Sequence, residues 1–164
     1  MLSAGNISPV EPRQSFEPVD PSGYSAVARL AMPDAASARV FAALTPSSHS
    51  LTIDIGTDFG GSDSGPEPKE LLLVSLGTCV GEDVISILHK KRQLVTGYTI
   101  NVYAIEAQEH PKVYTSILVE HIVSGHEVDP KAVARSIELS ITKYCPVHAM
   151  LAGVVPIEHV YRIA

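Results

Sequence analysis

The sequence has no apolar run approaching the roughly 20 residues that a membrane-spanning helix needs. A stretch such as Leu71–Val74 stops long before that length. No basic start followed by an apolar run opens the chain, so no secretory leader is expected. Basic residues are few and scattered. The 12 Lys and Arg stand against 18 Asp and Glu, for a net charge of −6. Nucleic acid and anionic membrane surfaces are poor partners for such a chain. Cysteine is scarce too, with 2 in 164 residues, of which 45% are hydrophobic. A chain able to build its own core has no need of a disulfide scaffold. The expectation is a cytoplasmic protein with one ordinary domain over residues 23–164, whose cysteines are either buried filler or redox chemistry.

Gly65 to Arg92 is the stretch around which the chain is organised, and it reads as one long apolar helix with Cys79 at its middle. Pro66 and Pro68 mark the entry, since proline fits a first helical turn where its missing N–H is no loss. Lys90, Lys91 and Arg92 suit the negative end of the helix dipole and read as a solvated terminus. Leu73, Leu76, Val80, Val84 and Ile87 follow the spacing of one face. Leu71, Leu72 and Val74 make the first turns apolar on other faces as well, so that end is expected to be buried all round. Gly77 and Gly81 lie one turn apart and each costs about 1 kcal/mol against alanine. Another segment must therefore approach the helix closely there.

Residues 1–22 contain Pro9, Pro12, Pro18 and Pro21 among polar residues and read as a poorly ordered tail or arm. Three short β-type runs follow at Tyr24–Leu30, Ala38–Leu44 and Leu51–Ile55, separated by turn signals at Pro33–Asp34 and Pro46–Ser48. Asp58 to Gly65 reads as a flexible glycine-rich loop that lacks the lysine of a phosphate loop. Beyond the central helix, Tyr98–Ala107 and Val113–Ser124 alternate as two long strands of a hairpin turned at Glu109–Lys112. Asp129-Pro130 caps a second helix, with Val133, Ile137, Ile141 and Tyr144 on its buried face. A short third helix is expected from Pro146 to Gly153 with Cys145 at or next to its N-cap, then a strand at Ile157–Ile163. This order is α+β with mainly antiparallel sheet.

A thiol at a helix N-terminus sees unpaired N–H donors, which favours thiolate at Cys145. Cys79 is mid-helix, with Glu82 and Asp83 at helical spacing, so its activation calls for a basic group from elsewhere, such as an arginine. Free cysteine is also among the most buried residue types, and both could simply pack. Cys79, Cys145, His148 and His126 could compose a zinc site, but the close ligand pairs of structural zinc are absent. The tyrosines Tyr24, Tyr98, Tyr103, Tyr114, Tyr144 and Tyr161 read as strand and core residues.

The run from Gly65 through Cys79 resembles the first cysteine motif of the OsmC/Ohr family, and Leu139 to His148 resembles the second. His110-Pro111-Lys112 before a long strand fits as well, and the likeness spans roughly Tyr24 to Ala164. The leucine-rich first motif looks most like the YhfA-type branch. The resemblance implies antiparallel sheets packed around a long cysteine-bearing helix and a second helix, in an intertwined homodimer. It implies a thiol peroxidase acting in oxidative or osmotic stress defence, with Cys79 attacking an organic hydroperoxide and Cys145 resolving the sulfenic acid as a disulfide. A dithiol or protein reductant would complete the cycle, with no metal or organic cofactor.

The chain departs from the hydroperoxidase pattern at one place. Lys69 stands where those relatives carry the glutamate that holds an activating arginine, and the acid comes one step later, at Glu70. Glu70 is the remaining candidate catalytic residue, yet it lies roughly 13 Å along a regular helix from Cys79. A bridging arginine, Arg29 or Arg39, would be required. The alternative is a binding protein holding a small apolar ligand at the dimer interface, its cysteines structural or redox-sensing. A noncatalytic dimer module is the third reading.

Overall fold

In the computed structural model the described residues are 29–31, 40–45 and 47–164. The expected arm over 1–22, the domain boundary at 23, Arg39 and the start of the first strand lie outside them. Three short antiparallel strands come first: β1 (Arg29–Ala31), β2 (Phe41–Leu44) and β3 (Ser50–Ile53). A 3-10 turn at Thr57–Phe59 leads to the long helix α1 (Pro68–Lys90). Then come β4 (Leu94–Glu106), β5 (Tyr114–His126), α2 (Pro130–Leu139), a π-helical turn (Ser140–Tyr144), α3 (Pro146–Leu151) and β6 (Ile157–Ile163).

The loop before α1 is not the loose segment that its glycines suggest. The buried Asp54 carboxylate gathers it, accepting from the backbone N–H and hydroxyl of both Ser62 and Ser64 and from the Ile55 N–H. Those donors, the Ser64 N–H foremost, hold its pKa well below the usual carboxylate range against the opposing effect of burial. Glu67 then caps α1, and the Glu70 carboxylate accepts from the Glu67 N–H in a reciprocal box.

The second sheet has the order β4-β5-β6, antiparallel between β4 and β5. β6 runs parallel to β5, the one parallel pairing in the described sheets, which are otherwise antiparallel as expected. The crossover through α2 and α3 returns the chain to the end where β5 began, and that return makes the pairing parallel. Alternate residues of β5, Ile117, Val119, His121 and Val123, turn inward and are buried. Leu76, Val80, Val84 and Leu88 of α1 form the facing core row, with Val133 and Ile137 of α2 beside them.

Gly77 and Gly81 face this sheet. A Cβ at Gly77 would sit 2.9 Å from Val102 Cγ2, and one at Gly81 2.5 Å from Ile100 Cδ1. The close approach expected there is real, but it is made by β4, not by the segment carrying Cys145. The first turns of α1 are not buried all round: Leu72 and Val74 are 46% and 56% exposed in the isolated chain. α1 also meets the length and composition of a membrane span, with mean hydropathy 1.8 over 18 residues, of which 33% are buried. Scattered polar residues hide that from a search for uninterrupted runs. Here the helix packs on β4, α2 and α3.

Candidate thiol site

Cys145 owes its position to the π-helical turn. Its N–H donates to Ser140 O at 2.9 Å, five residues back, and one extra residue in a turn rotates the downstream residues by about 100°. The rotation carries Tyr144, expected on the buried face, to the surface and brings Cys145 inward to 3% exposure. Ser140 Oγ pins the turn to α1 by donating to Asp83 Oδ2 at 2.9 Å.

The two sulfurs meet. Cys145 Sγ donates to Cys79 Sγ at 2.8 Å across 66 residues of chain, and both thiols are free. Cys79 is half-buried on α1. Cys145 is the N-cap of α3, as its spacing before Pro146 predicts, and accepts from the His148 N–H at 3.3 Å. Position alone does not make it a thiolate. Burial, joined by its bond to Cys79, pushes the Cys145 thiol up to about 11, outweighing the lowering effect of the His148 and Val147 N–H groups. The N-cap donors are present, but loss of water wins.

Glu70 is not brought to the sulfurs; one of its carboxylate oxygens closes the cap of α1. Lys69 leans the other way, into an ion pair with Glu106, a 3.1 Å bond to Lys112 O, and a place 5.3 Å from the Tyr114 ring centre. It helps wall a cavity of about 960 Å³ with Leu72, Ile117 and Leu151. A second, more open groove of about 620 Å³ runs along Val74, Gly77 and Gly81 against Tyr98, Ile100 and Val102. Of Arg29 only the backbone is described, in β1.

A row of histidines escaped the sequence reading. Tyr98 Oη lies 2.6 Å from His121 Nδ1, and His121 Nε2 lies 3.1 Å from His159 Nδ1. The His148 ring, on the helix that Cys145 caps, has its centre 5.2 Å from that of His159. The available signal was His121 at an inward position of an alternating strand, between Val119 and Val123. Burial holds both His121 and His159 down at about 4 and lowers His148 as well. His126, the other histidine considered for zinc, is exposed at the end of β5. Among the described residues no group of three or more His, Cys, Asp or Glu is disposed to hold a metal ion.

Comparison with known proteins gives a consistent answer. A family model described as "OsmC-like protein" matches residues 61–160, which include both cysteines. Protein YhfA of Escherichia coli K12 is 38% identical over 106 residues, covering 65% of this chain and 79% of YhfA. A hypothetical protein from Aquifex aeolicus superposes with a TM-score of 0.73 at 30% identity, covering 86% of this chain and 97% of that one. An organic hydroperoxide resistance protein from Legionella pneumophila shares the fold at 12% identity, with a TM-score of 0.61 over 84% of this chain and 96% of its own. With two cysteine motifs, the fold and the family model in agreement, this chain belongs to the OsmC-like protein family.

Proposed function

We infer that the protein is a cytoplasmic, homodimeric thiol peroxidase that reduces organic hydroperoxides through Cys79 and Cys145. The observation that carries this reading is the contact of two free thiols, from separate helices, at 2.8 Å. Cys79 is the better placed nucleophile of the two, being half-buried where Cys145 is buried, and it receives the Cys145 S–H. Its thiolate attacks the outer peroxide oxygen. The O–O bond breaks, the alcohol leaves with a proton, and Cys79 becomes a sulfenic acid. The Cys145 sulfur then attacks the Cys79 sulfur. The S–O bond breaks, water leaves, and a disulfide remains for an external dithiol to reduce. Both cysteines pack with the hydrophobic core, and apolar surroundings suit an organic peroxide. The open apolar groove along α1 supports the homodimer, as a surface for a second copy to cover.

The same groove favours the second reading, a binding protein for a small apolar ligand, and Lys69 held by Glu106 rather than by the thiol site leans that way. Free-thiol counts before and after one equivalent of cumene hydroperoxide separate the two. Rapid loss of both thiols, with Cys79→Ser inert and Cys145→Ser stopping at a sulfenic acid, is the expected result. An inert Cys145→Ser would reverse the roles. Survival of both thiols would leave the binding protein.

A further inference from the structure

Disulfide formation at this site has an unmet requirement. Cys145 must lose its proton to attack Cys79, yet it is buried and held as a thiol well above neutral pH. A base is needed close by, and it must be neutral when the reaction runs. His148 is the candidate, because burial lowers its pKa and keeps its ring neutral when the reaction runs. It is the third residue of α3 after the Cys145 cap, the position whose side chain folds back toward the cap residue in a capping box. Its own N–H already contacts Cys145 Sγ at 3.3 Å. Its ring nitrogen Nδ1 is buried and has no hydrogen-bond partner.

The row behind it can be polarised so that it backs His148. Burial raises the Tyr98 hydroxyl above its usual pKa, and in one polarity this neutral hydroxyl donates to His121 Nδ1. His121 then carries its proton on Nε2 and donates to His159 Nδ1. That leaves the His159 proton on Nε2, the second buried and unpartnered nitrogen of the cluster. The His148 ring also bonds to the Ile141 backbone, and with Nδ1 unpartnered that bond falls to Nε2–H, which leaves the lone pair on Nδ1. Tyr98 and His121 are anchored in the core sheet, so the row is a rigid backing for the His148 ring. His159 of β6 stands against His148, with His121 of β5 and Tyr98 of β4 behind it, and Cys145 at the cap of its own helix is bonded to Cys79 of α1. The Asp83 carboxylate is engaged by Ser140.

We propose that His148 Nδ1 is the proton acceptor for Cys145 during disulfide formation, and that His159, His121 and Tyr98 are positioning residues that hold its ring and tautomer. The proton leaves Cys145 Sγ for His148 as the S–S bond forms. It passes from His148 to the hydroxide released when the Cys79 S–O bond breaks, giving water. The proposal rests on the thiol-oxidation reading above, but only on its second step.

The experiment tracks loss of the first and second thiol separately in reduced protein after cumene hydroperoxide, with dimedone trapping the sulfenic acid. Wild type, His148→Ala, His148→Gln, His159→Asn and Tyr98→Phe are compared from mildly acidic to mildly alkaline pH. In His148→Ala the first loss is unchanged. The second slows by about a hundredfold, in the range for a lost general base, and sulfenic acid accumulates. Added imidazole restores the second step, a rescue that no purely structural role would give. His159→Asn and Tyr98→Phe shift its pH profile and leave the first step alone. Should His148→Ala not fold, His148→Gln and His159→Asn carry the same comparison. Second-step rates and pH profiles equal to wild type would overturn the proposal. Diamide in place of peroxide keeps the two claims apart, because the second thiol must also attack the diamide adduct of the first. Slow closure in His148→Ala with diamide, beside wild-type thiols inert to peroxide, would retain the base and discard the peroxidase.

Discussion

At the scale of single residues, loss of water decides more than local position. Cys145 has the N-cap donors that favour thiolate, yet burial raises its pKa to about 11. In a Cys79→Ser background, alkylation of Cys145 by iodoacetamide is therefore expected to be slow at neutral pH and still climbing well above the ordinary thiol range of about 8.5. A plateau near that ordinary value would refute the assignment. The linkage has the same sign. A thiol bound more tightly to its proton in the folded state adds stability that is complete below the unfolded pKa and is lost as pH rises toward about 11. Asp54 runs the opposite way. Its lowered pKa gives stability present above the unfolded carboxylate value and lost as pH falls through the folded one. Asp54→Ala removes the acceptor shared by Ile55, Ser62 and Ser64, and limited proteolysis should then cut within residues 55–65 while the rest of the fold persists.

At the scale of elements, α1 and β4 are fitted to each other through two missing side chains. Gly81→Val would place a branched group where a Cβ already comes within 2.5 Å of Ile100 Cδ1. A cost of about 2–3 kcal/mol is expected from overpacking. Urea denaturation measures it, and adding Ile100→Ala should recover a good part. If the double variant is no better than the single, the contact is not what requires glycine. The spacing of Gly77 and Gly81 revealed that something came close; it could not say which element, because a glycine face is equally open to a helix and a strand. The π-helical turn was illegible for a related reason. Ser140 to Tyr144 has ordinary helical composition, and the contact that accompanies the shift to bonding five residues back, Ser140 to Asp83, spans 57 residues of chain.

At the scale of the whole molecule, the exposed side of α1 is the feature that the isolated chain leaves unresolved. Val74 and Leu72 stand out from a helix whose other side is core, and Val74 borders the open groove. If a second copy covers that groove, Val74→Glu should yield a folded monomer by light scattering where the parent is a dimer. A parent that is monomeric at the same concentration would remove the dimer from the functional reading and leave the groove to a ligand.

The sequence by itself determined the long helix with Cys79 at its middle, the β4–β5 hairpin, the Asp129-Pro130 cap and the placement of Cys145 before Pro146. Each of these is written in spacing or capping chemistry within a few residues. Tertiary structure decided the rest. The meeting of Cys79 with Cys145, the parallel docking of β6, the capping role of Glu70, the Lys69–Glu106 pair and the histidine row all depend on residues far apart in the chain. Such contacts are selected by how the α1 face packs on the sheet and on α2, and no local pattern encodes them. The thiol pKa belongs with this second group, since desolvation depends on everything packed around a sulfur and not on the motif that holds it.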